Sequence, residues 1–565
     1  LKKKRKIPVI LKFGLSFLLL IFFLFLLYFY LTKITPPDPE SRIADSYVVD
    51  TLGPDFFAID QNWLKRSRTG LWEMYIQGNP YERGVVNGKL SRDLIYFQEK
   101  AFTNEIARMI PSVFYRNFLK YFIYWFNRNL DKYLTKEYKF EILGISQSAS
   151  NDFSFIGNNY QRFLNYHSAH DIGHALQDLK LVGCTSFGAW NDRSTDSTLI
   201  IGRNFDFYMG DEFAENKIVC FEKPDNGYAF MMITWGGMIG TVSGMNIRGL
   251  TVTINADKSD IPFSARTPIS ILAREILQYS GTIAEAYEIA RKRKTFVSES
   301  LLIGSAEENE AAIIEKSPFG ISLYRSEKNY IVCANHFQSA YFKDDPLNIQ
   351  NKLESSSMYR YQRVIQDLTN LSPLDPIKAA WILRDQKGIN NRDIGMGNEK
   401  GINQFIAHHS VIFKPQRLQV WISTGPWQMG TFVCYDLTKI FNNFAGLKQN
   451  REITEPGLVI PPDPFLETRN YFNFLHFRKM KKTMIQVISE KKKMTLSHDF
   501  INEFEASNPD YFEGYSITGD YYMKSGDFNR AAKNYKMALN KIIPNEKEKH
   551  EIIKKLVECN LKIHN

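Results

Sequence analysis

No residue from Phe13 to Tyr30 carries a charge, within a Leu-, Phe- and Ile-rich run that stays apolar from Ile7 to Leu31 apart from Lys12. A stretch of that length and polarity matches the hydrocarbon core of a bilayer. It obliges the rest of the 565-residue chain to fold on one side. The run is too long for a signal-peptide core, and no small-x-small cleavage signal follows it. Lys2, Lys3, Lys4, Arg5 and Lys6 precede it, and basic flanks stay cytoplasmic. The expectation is a basic stub and single-pass transmembrane anchor over residues 1–32. The bulk of the chain would then lie outside the cytoplasm, periplasmic or extracellular.

Charge is concentrated at the two ends. The net charge is +10; from His476 onward 17 Lys and Arg stand against 12 Asp and Glu, and the first six residues are nearly all basic. The body between is close to neutral, which excludes nucleic acid as a partner, because that would need a basic face on the folded core. Five cysteines, an odd number, argue against a disulfide framework.

Pro36-Pro37-Asp38-Pro39 reads as a stiff linker, within a linker expected over 33–70. From Leu71 to about Leu181 the pattern is helical, giving a helical segment over 71–183. Ile76 to Leu90 combines a turn with glycines spaced for close helix packing. The aromatic segment Pro111 to Leu130, with Arg116, Lys120 and Arg128, fits a membrane interface or an acyl-binding site. Core or subunit contact is its expected role. At Cys184 the texture changes to short strands separated by turns, interrupted by helical patterns at Pro268–Tyr279 and Thr282–Arg293. Strands on both sides of a helical block suggest sheets layered with helices, over 184–440. A linker over 441–475 leads to a lysine-rich helical tail, 476–565. Within it Gly519, Tyr522, Gly526, Ala531, Tyr535 and Ala538 follow the spacing of a single tetratricopeptide (TPR) repeat. One such repeat cannot bury its own face, so the tail is expected to dock on neighbouring helices or to hold a protein partner.

The segment Leu181 to Trp190, LVGCTSFGAW, places a cysteine where a strand opens. A buried cysteine packs as a small apolar residue, and Cys220, Cys333 and Cys434, in apolar strand settings, fit that role. Cys184 differs in its neighbours. Asn191 to Ser197 is turn material, and a hairpin centred on Ser194 puts Cys184 opposite Asn204. Arg203 and Asp206 then lie alongside the thiol. A cation favours thiolate, and a carboxylate can hold an amine or orient a proton.

Gly183-Cys184-Thr185-Ser186 followed by Arg203-Asn204-Phe205-Asp206-Phe207 resembles the N-terminal-nucleophile (Ntn) hydrolases of the choloylglycine hydrolase and penicillin acylase group. Within that group the chain is most similar to the autoproteolytic acyltransferase/hydrolase family that includes isopenicillin-N acyltransferase. Gly78 to Leu90, Gly249 to Asp257, Cys333 to Ser339 and Ser356 to Val364 resemble further landmarks of these enzymes in order, so the likeness runs from about Leu71 to Trp427. The resemblance implies an α+β fold, the four-layer αββα sandwich, here with a transmembrane helix before it and a helical, TPR-like tail after it. It implies self-cleavage between Gly183 and Cys184, with Cys184 as nucleophile and its freed amine as base. An α-amine titrates at about 7.7–8.0, close to neutral pH, and Gly183 would give the thiol access to its own carbonyl. By the same resemblance Asp206 would hold the amine, Arg203 would stabilise the thiolate, and Asn255 would donate to an oxyanion. Asn335 and Arg360 would complete the network, with Arg363, one helical turn on, able to replace Arg360.

The implied function is a membrane-anchored amidohydrolase or acyltransferase acting on a small N-acyl amide through a thioester; the sequence leaves the acyl group open, and membrane tethering with aromatic richness suggests a lipid-like chain. The alternative is an anchored binding protein with a degenerate hydrolase domain and a partner-binding tail. No metal or cofactor is required. His167, His170 and His174, at helical spacing, could bind zinc, but no further ligand is tied to them by spacing. His408 and His409 need no role beyond structure, and a salt bridge suffices to explain Arg274.

Overall fold

The computed structural model describes residues 9–175, 183–258, 260, 262, 264–442, 452–489 and 495–564. Helix α1 (Val9–Thr32) contains a stretch, Phe13–Thr32, long and apolar enough to cross a membrane. The segment expected as a linker is instead part of the folded body. Thr32 and Ile34 are buried, and strands β1 (Asp50–Gly53), β2 (Phe56–Ile59) and β3 (Asn62–Arg66) pair in order with β4 (Trp72–Gly78). Tight reversals make such short strands possible: Asp55 and Asp60 take φ of 52° and 50°, a conformation that Asp tolerates better than most residues. Trp63 and Leu64 supply the buried side chains that anchor the meander.

These four strands open an 11-stranded sheet. It continues through β7 (Ile218–Pro224), β8 (Phe230–Thr234), β9 (Ser243–Asn246), β10 (Leu250–Asp257), β11 (Ser298–Ser305), β12 (Glu310–Lys316) and β13 (Ile321–Arg325). Strands β4 and β7 run parallel; the other neighbours are antiparallel. A second, 6-stranded sheet has the order β14 (Tyr330–Cys333), β5 (Thr185–Ala189), β6 (Ile200–Phe205), β15 (His409–Lys414), β16 (Gln419–Ser423), β17 (Phe432–Asp436). Trp63, Tyr75, Phe221 and Ile313 of the large sheet share one apolar core with Ile201, Val411, Val420 and Tyr435 of the small one. The two sheets therefore lie face to face, as the alternation of inward apolar side chains requires.

Helices cover both outer faces. On the large sheet, Met74, Val252 and Ile303 pack with α2 (Pro80–Leu90), α5 (Lys136–Ser146), α6 (Asn159–His167), α8 (Ile269–Tyr279) and α9 (Ile283–Lys292). Helices α3 (Arg92–Met109), α4 (Val113–Phe126) and α7 (Ala169–Ala175) complete that side. The small sheet carries α11 (Ser357–Leu371) and α12 (Pro376–Arg384), with α10 (Pro346–Glu354) beside them. The segment 71–183 is thus helical only after β4. Helix α4 buries Phe126 alone among its residues, against the core role expected of it.

The glycines of α2 act as anticipated. A Cβ on Gly84 would stand 2.1 Å from the Glu141 carbonyl oxygen, and one on Gly144 of α5 would stand 2.5 Å from the Val85 nitrogen. Backbone meets backbone there, so neither side can yield cheaply. Gly84→Ala should destabilise the fold by about 1–3 kcal/mol, read as a lowered denaturation midpoint at unchanged slope. Arg274 is held by Glu222 and by Glu141 at 3.5 Å, so the salt bridge does explain it.

Beyond α13 (Leu437–Asn442) the chain is not a free linker where it is described: Ile460 pairs with Phe432 and is buried. The tail is helical, with α14 (Arg469–Ser489), α15 (His498–Ser507), α16 (Phe512–Ser525), α17 (Phe528–Leu539) and α18 (Glu546–His564). It has its own core around Met484, Phe504 and Tyr535. It docks on the body: the Asn508 side chain exchanges hydrogen bonds with the Met396 backbone at 3.1 and 2.9 Å, and Phe474 packs on Phe405 at 4.6 Å.

Candidate active site

Cys184 sits just ahead of β5 and is buried. The hairpin that follows has a register one residue off the expected one. Thr185, not Cys184, faces Asn204, and Ser186 faces Arg203. The turn is centred between Ser194 and Thr195, so equal counting from Ser194 missed by one. The neighbours survive the shift because Arg203 is long enough to reach back. Its Nη2 donates to Cys184 Sγ at 3.7 Å and to the Ile254 carbonyl at 2.6 Å. Gly183 N–H donates to the Asp206 carbonyl at 3.0 Å, tying the strand ends together.

Arg360 lies at the Gly183–Cys184 bond itself. Its Nη1 donates to the Gly183 carbonyl at 2.8 Å, the Cys184 carbonyl at 2.7 Å and Thr185 Oγ1 at 2.8 Å. Its Nη2 donates to Asn335 Oδ1 at 2.7 Å. Asn335 is fixed in turn, donating through Nδ2 to the Ala256 carbonyl at 2.8 Å. Of the two candidate arginines, Arg360 lies at the Gly183–Cys184 bond, whereas Arg363 faces away and pairs with Asp385 at 2.7 Å and Asp367 at 3.2 Å. Asn255 joins the group through Ser186, whose Oγ donates to Asn255 Oδ1 at 3.0 Å. The Asn255 Nδ2 donates to the Cys333 carbonyl at 3.0 Å. All six residues singled out in the sequence are therefore gathered around one peptide bond and its flanking strands.

Several neighbours of this peptide bond lie outside the sequence patterns above. Gln404 donates through Nε2 to the Gly183 carbonyl at 2.8 Å and reaches Asp206 Oδ2 at 3.5 Å. A Cβ on Gly183 would meet that nitrogen at 2.7 Å, so glycine is what leaves room for the donor. His409 and Ser243 share a hydrogen at 2.8 Å, and both hold Arg203 Nη1. Glu299 of β11 is buried, and neither carboxylate oxygen has a hydrogen-bond partner among the described residues. Gln404 and His409 lie more than 200 residues from the cysteine, beyond any local pattern. Glu299, a carboxylate in an apolar strand, was a visible signal.

The electrostatics follow from burial. Desolvation pushes the Cys184 thiol up to about 11, with Arg203 and the Asp206 backbone N–H pulling the other way. Desolvation likewise raises Asp206 to about 7 against the pull of Arg360 and Arg203. Its Oδ1 has no hydrogen-bond partner among the described residues. Burial also drives His408 and His409 far below the ordinary range, so both are neutral at pH 7. The thiol is therefore protonated near neutrality, whereas the Asp206 carboxyl titrates close to it.

Ser168 separates α6, which carries His167, from α7. His167 is buried, bonded to the Phe163 carbonyl at 2.8 Å and the Ile239 N–H at 3.0 Å. The His170 and His174 side chains lie outside the described residues. All five cysteines are buried and unbridged.

Residues 190–425 match the family of acyl-coenzyme A:6-aminopenicillanic acid acyl-transferase. Among curated proteins, an uncharacterized protein of Archaeoglobus fulgidus is 25% identical over 264 residues, 44% of this chain and 44% of its own. The N-acylethanolamine-hydrolyzing acid amidase of Caenorhabditis elegans is 25% identical over 210 residues, 35% of this chain and 56% of its own. The chain thus spans about half the length of these relatives. A solved structure of the Caenorhabditis elegans amidase ortholog aligns with a TM-score of 0.31 at 19% identity, covering 41% of this chain and 93% of that one. The likeness to the acyl-coenzyme A:6-aminopenicillanic acid acyl-transferase family thus lies in residues 190–425, less than half of the chain.

Proposed function

We propose that this chain is a membrane-anchored cysteine Ntn enzyme that cuts itself before Cys184 and then cleaves or transfers an acyl group at a small N-acyl amide. The helix–sheet–sheet–helix layering is read as the αββα sandwich of that fold. The observation that carries the reading is the grip on one peptide carbonyl. Two side-chain donors, Arg360 and Gln404, hold the Gly183 oxygen, while Arg203 holds the sulfur of the very next residue. An ordinary structural peptide needs one partner for its carbonyl, not a guanidinium and an amide converging from segments far apart in sequence.

In the first step the Asp206 carboxylate takes the Cys184 thiol proton, and sulfur adds to the Gly183 carbonyl carbon. Negative charge on the oxygen is received by Arg360 Nη1 and Gln404 Nε2, the role of an oxyanion hole. The carbon–nitrogen bond breaks as the Cys184 nitrogen takes the proton back, and water then releases Gly183 as a carboxylate. The two segments stay together, because β4 on the first pairs with β7 on the second throughout its length.

The freed amine supplies the base for turnover, held by Asp206. Thiolate beside Arg203 attacks the substrate carbonyl, Asn255 is assigned as donor to the new oxyanion, and Asn335 positions Arg360. The leaving amine departs with a proton, and water or a second amine takes the acyl group from sulfur. The name of the Caenorhabditis elegans relative states that it hydrolyses N-acylethanolamines, and a lipid-like N-acyl amide is the substrate class proposed here. Sequencing from the N-terminus of mature full-length protein tests the reading. A second terminus beginning Cys-Thr-Ser-Phe is the expected result, and a single uncut chain with full amidase activity would refute it.

A further inference from the structure

Helix α4 presents to solvent a face that a soluble domain would bury. Phe114, Phe118, Tyr121, Phe122 and Trp125 recur at helical spacing, and every one is exposed, Phe114 by 84%. At its C-terminal end Phe126 stacks with Phe122 at 6.2 Å and closes the core, while Lys120, on the opposite side, donates through Nζ to the Phe155 carbonyl at 3.2 Å. Arg128 stacks over Trp125 at 4.3 Å.

The position of this face relative to α1 decides what covers it. The apolar stretch of α1 is 20 residues long, about 30 Å at the helical rise and thus one hydrocarbon thickness. It ends at Thr32, and no spacer follows: the Thr32 carbonyl accepts from Gln161 Nε2 at 2.7 Å, and Ile34 is in the core. One turn before that end, Tyr28 donates to the Tyr121 carbonyl at 2.7 Å and stacks on Trp125 at 6.3 Å. If α1 crosses the bilayer, α4 is held at the depth where hydrocarbon gives way to headgroups. Aromatic rings with cations beside them are the side chains that favour that depth.

We propose that α4 is a second membrane contact, an in-plane helix that sinks Phe114, Phe118 and Phe122 into the lipid surface beside α1. This inference rests on the reading of α1 as a membrane span. It makes the enzyme a two-point attachment, a crossing helix and a lying helix, that fixes the orientation of the catalytic body over the lipid. A tether on a flexible linker would leave that orientation free.

The test uses the full chain in phosphatidylcholine vesicles with an environment-sensitive fluorophore on a single introduced cysteine. The native chain, with its five buried cysteines, supplies the labelling background. Phe118→Cys reports α4, Leu19→Cys reports α1, and Ile377→Cys reports α12 on the far outer layer. Lipids carrying a nitroxide near the headgroup should quench the label at 118 by about two-fold or more, the depth expected of an interfacial helix. The label at 377 should be unaffected. Equal quenching at 118 and 377 overturns the proposal. So does concentration-dependent self-quenching at 118 without lipid quenching, which would make the face a contact between copies of the chain. Lipids carrying the nitroxide deep in the acyl chain read the label at 19 and separate the two readings: quenching there, without quenching at 118 by the headgroup lipids, removes α4 and leaves the anchor standing. No quenching at 19 removes the anchor, and 118 still decides α4.

Discussion

Replacing Cys184 with alanine should leave one uncut chain and lower amide turnover by about 10,000-fold or more, as removal of a covalent nucleophile does elsewhere. The size of the effect follows from the proposed mechanism, in which one residue supplies both sulfur and, after cleavage, the amine that deprotonates it. Losing the thiol removes the attack on Gly183, so the amine is never freed, and it removes the attack on substrate. The fold should survive. Cys184 Sγ contributes a contact with Arg203 at 3.7 Å, and a guanidinium that keeps the Ile254 carbonyl and Ser243 is not left unpartnered. Cys333→Ala is the control. That cysteine is equally buried, and its thiol reaches the carbonyl of Ala334, its own chain neighbour. It should fold, cut itself and turn over substrate at near the native rate. Intact mass and amidase assays on both variants decide the matter. A Cys184→Ala protein that is cut or active would end the assignment.

How far the sequence reached depends on the range of the contacts involved. The pairing of Cys184 with Arg203 and Asp206 was legible because a short turn brings them together, and the one-residue error in register did not matter to a side chain of arginine's length. Arg360 and Asn335 came from resemblance, and only the folded chain could choose between Arg360 and Arg363. One helical turn separates these two arginines, yet one faces the Gly183–Cys184 bond and the other faces Asp385. The strands of residues 50–66 were missed for a different reason. Each is four or five residues long, too short for alternation to register, although the reversals at Gly53-Pro54-Asp55 and Asp60-Gln61 marked their ends. The tail's dock on the body was anticipated in kind but not in place, since Asn508 and Phe474 meet residues with no sequence pattern of their own. Aromatic density in Pro111–Leu130 was plain, but composition does not say which face a helix turns outward. That depended on where α1 ends.

Gln404 is the residue on which the self-cleavage mechanism is most open to refutation. Its Nε2 is one of the two side-chain donors to the Gly183 oxygen, so Gln404→Ala should slow the appearance of cut chain by about 100-fold, the scale of losing one oxyanion donor. Gln404→Glu should be slower still, because a carboxylate would face the oxygen on which charge develops. Gly183→Ala should mimic Gln404→Ala, since the added methyl takes the donor's place. The pH dependence carries a sign of its own. Only ionised Asp206 can accept the thiol proton, and burial has raised that carboxyl to about 7. The native rate should therefore climb about tenfold per pH unit below 7 and level off above it. The thiol, up at about 11, stays protonated over that whole range and adds no second limb. Asp206→Asn should abolish the step near 7 as well as lower the rate, whereas Gln404→Ala should lower the rate and keep the step. Freshly synthesised precursor, sampled on denaturing gels from pH 5 to pH 8.5, distinguishes them. A rate that falls as pH rises through 7 would mean that the proton goes elsewhere, and Asp206 would then hold the amine without ever having served as the base.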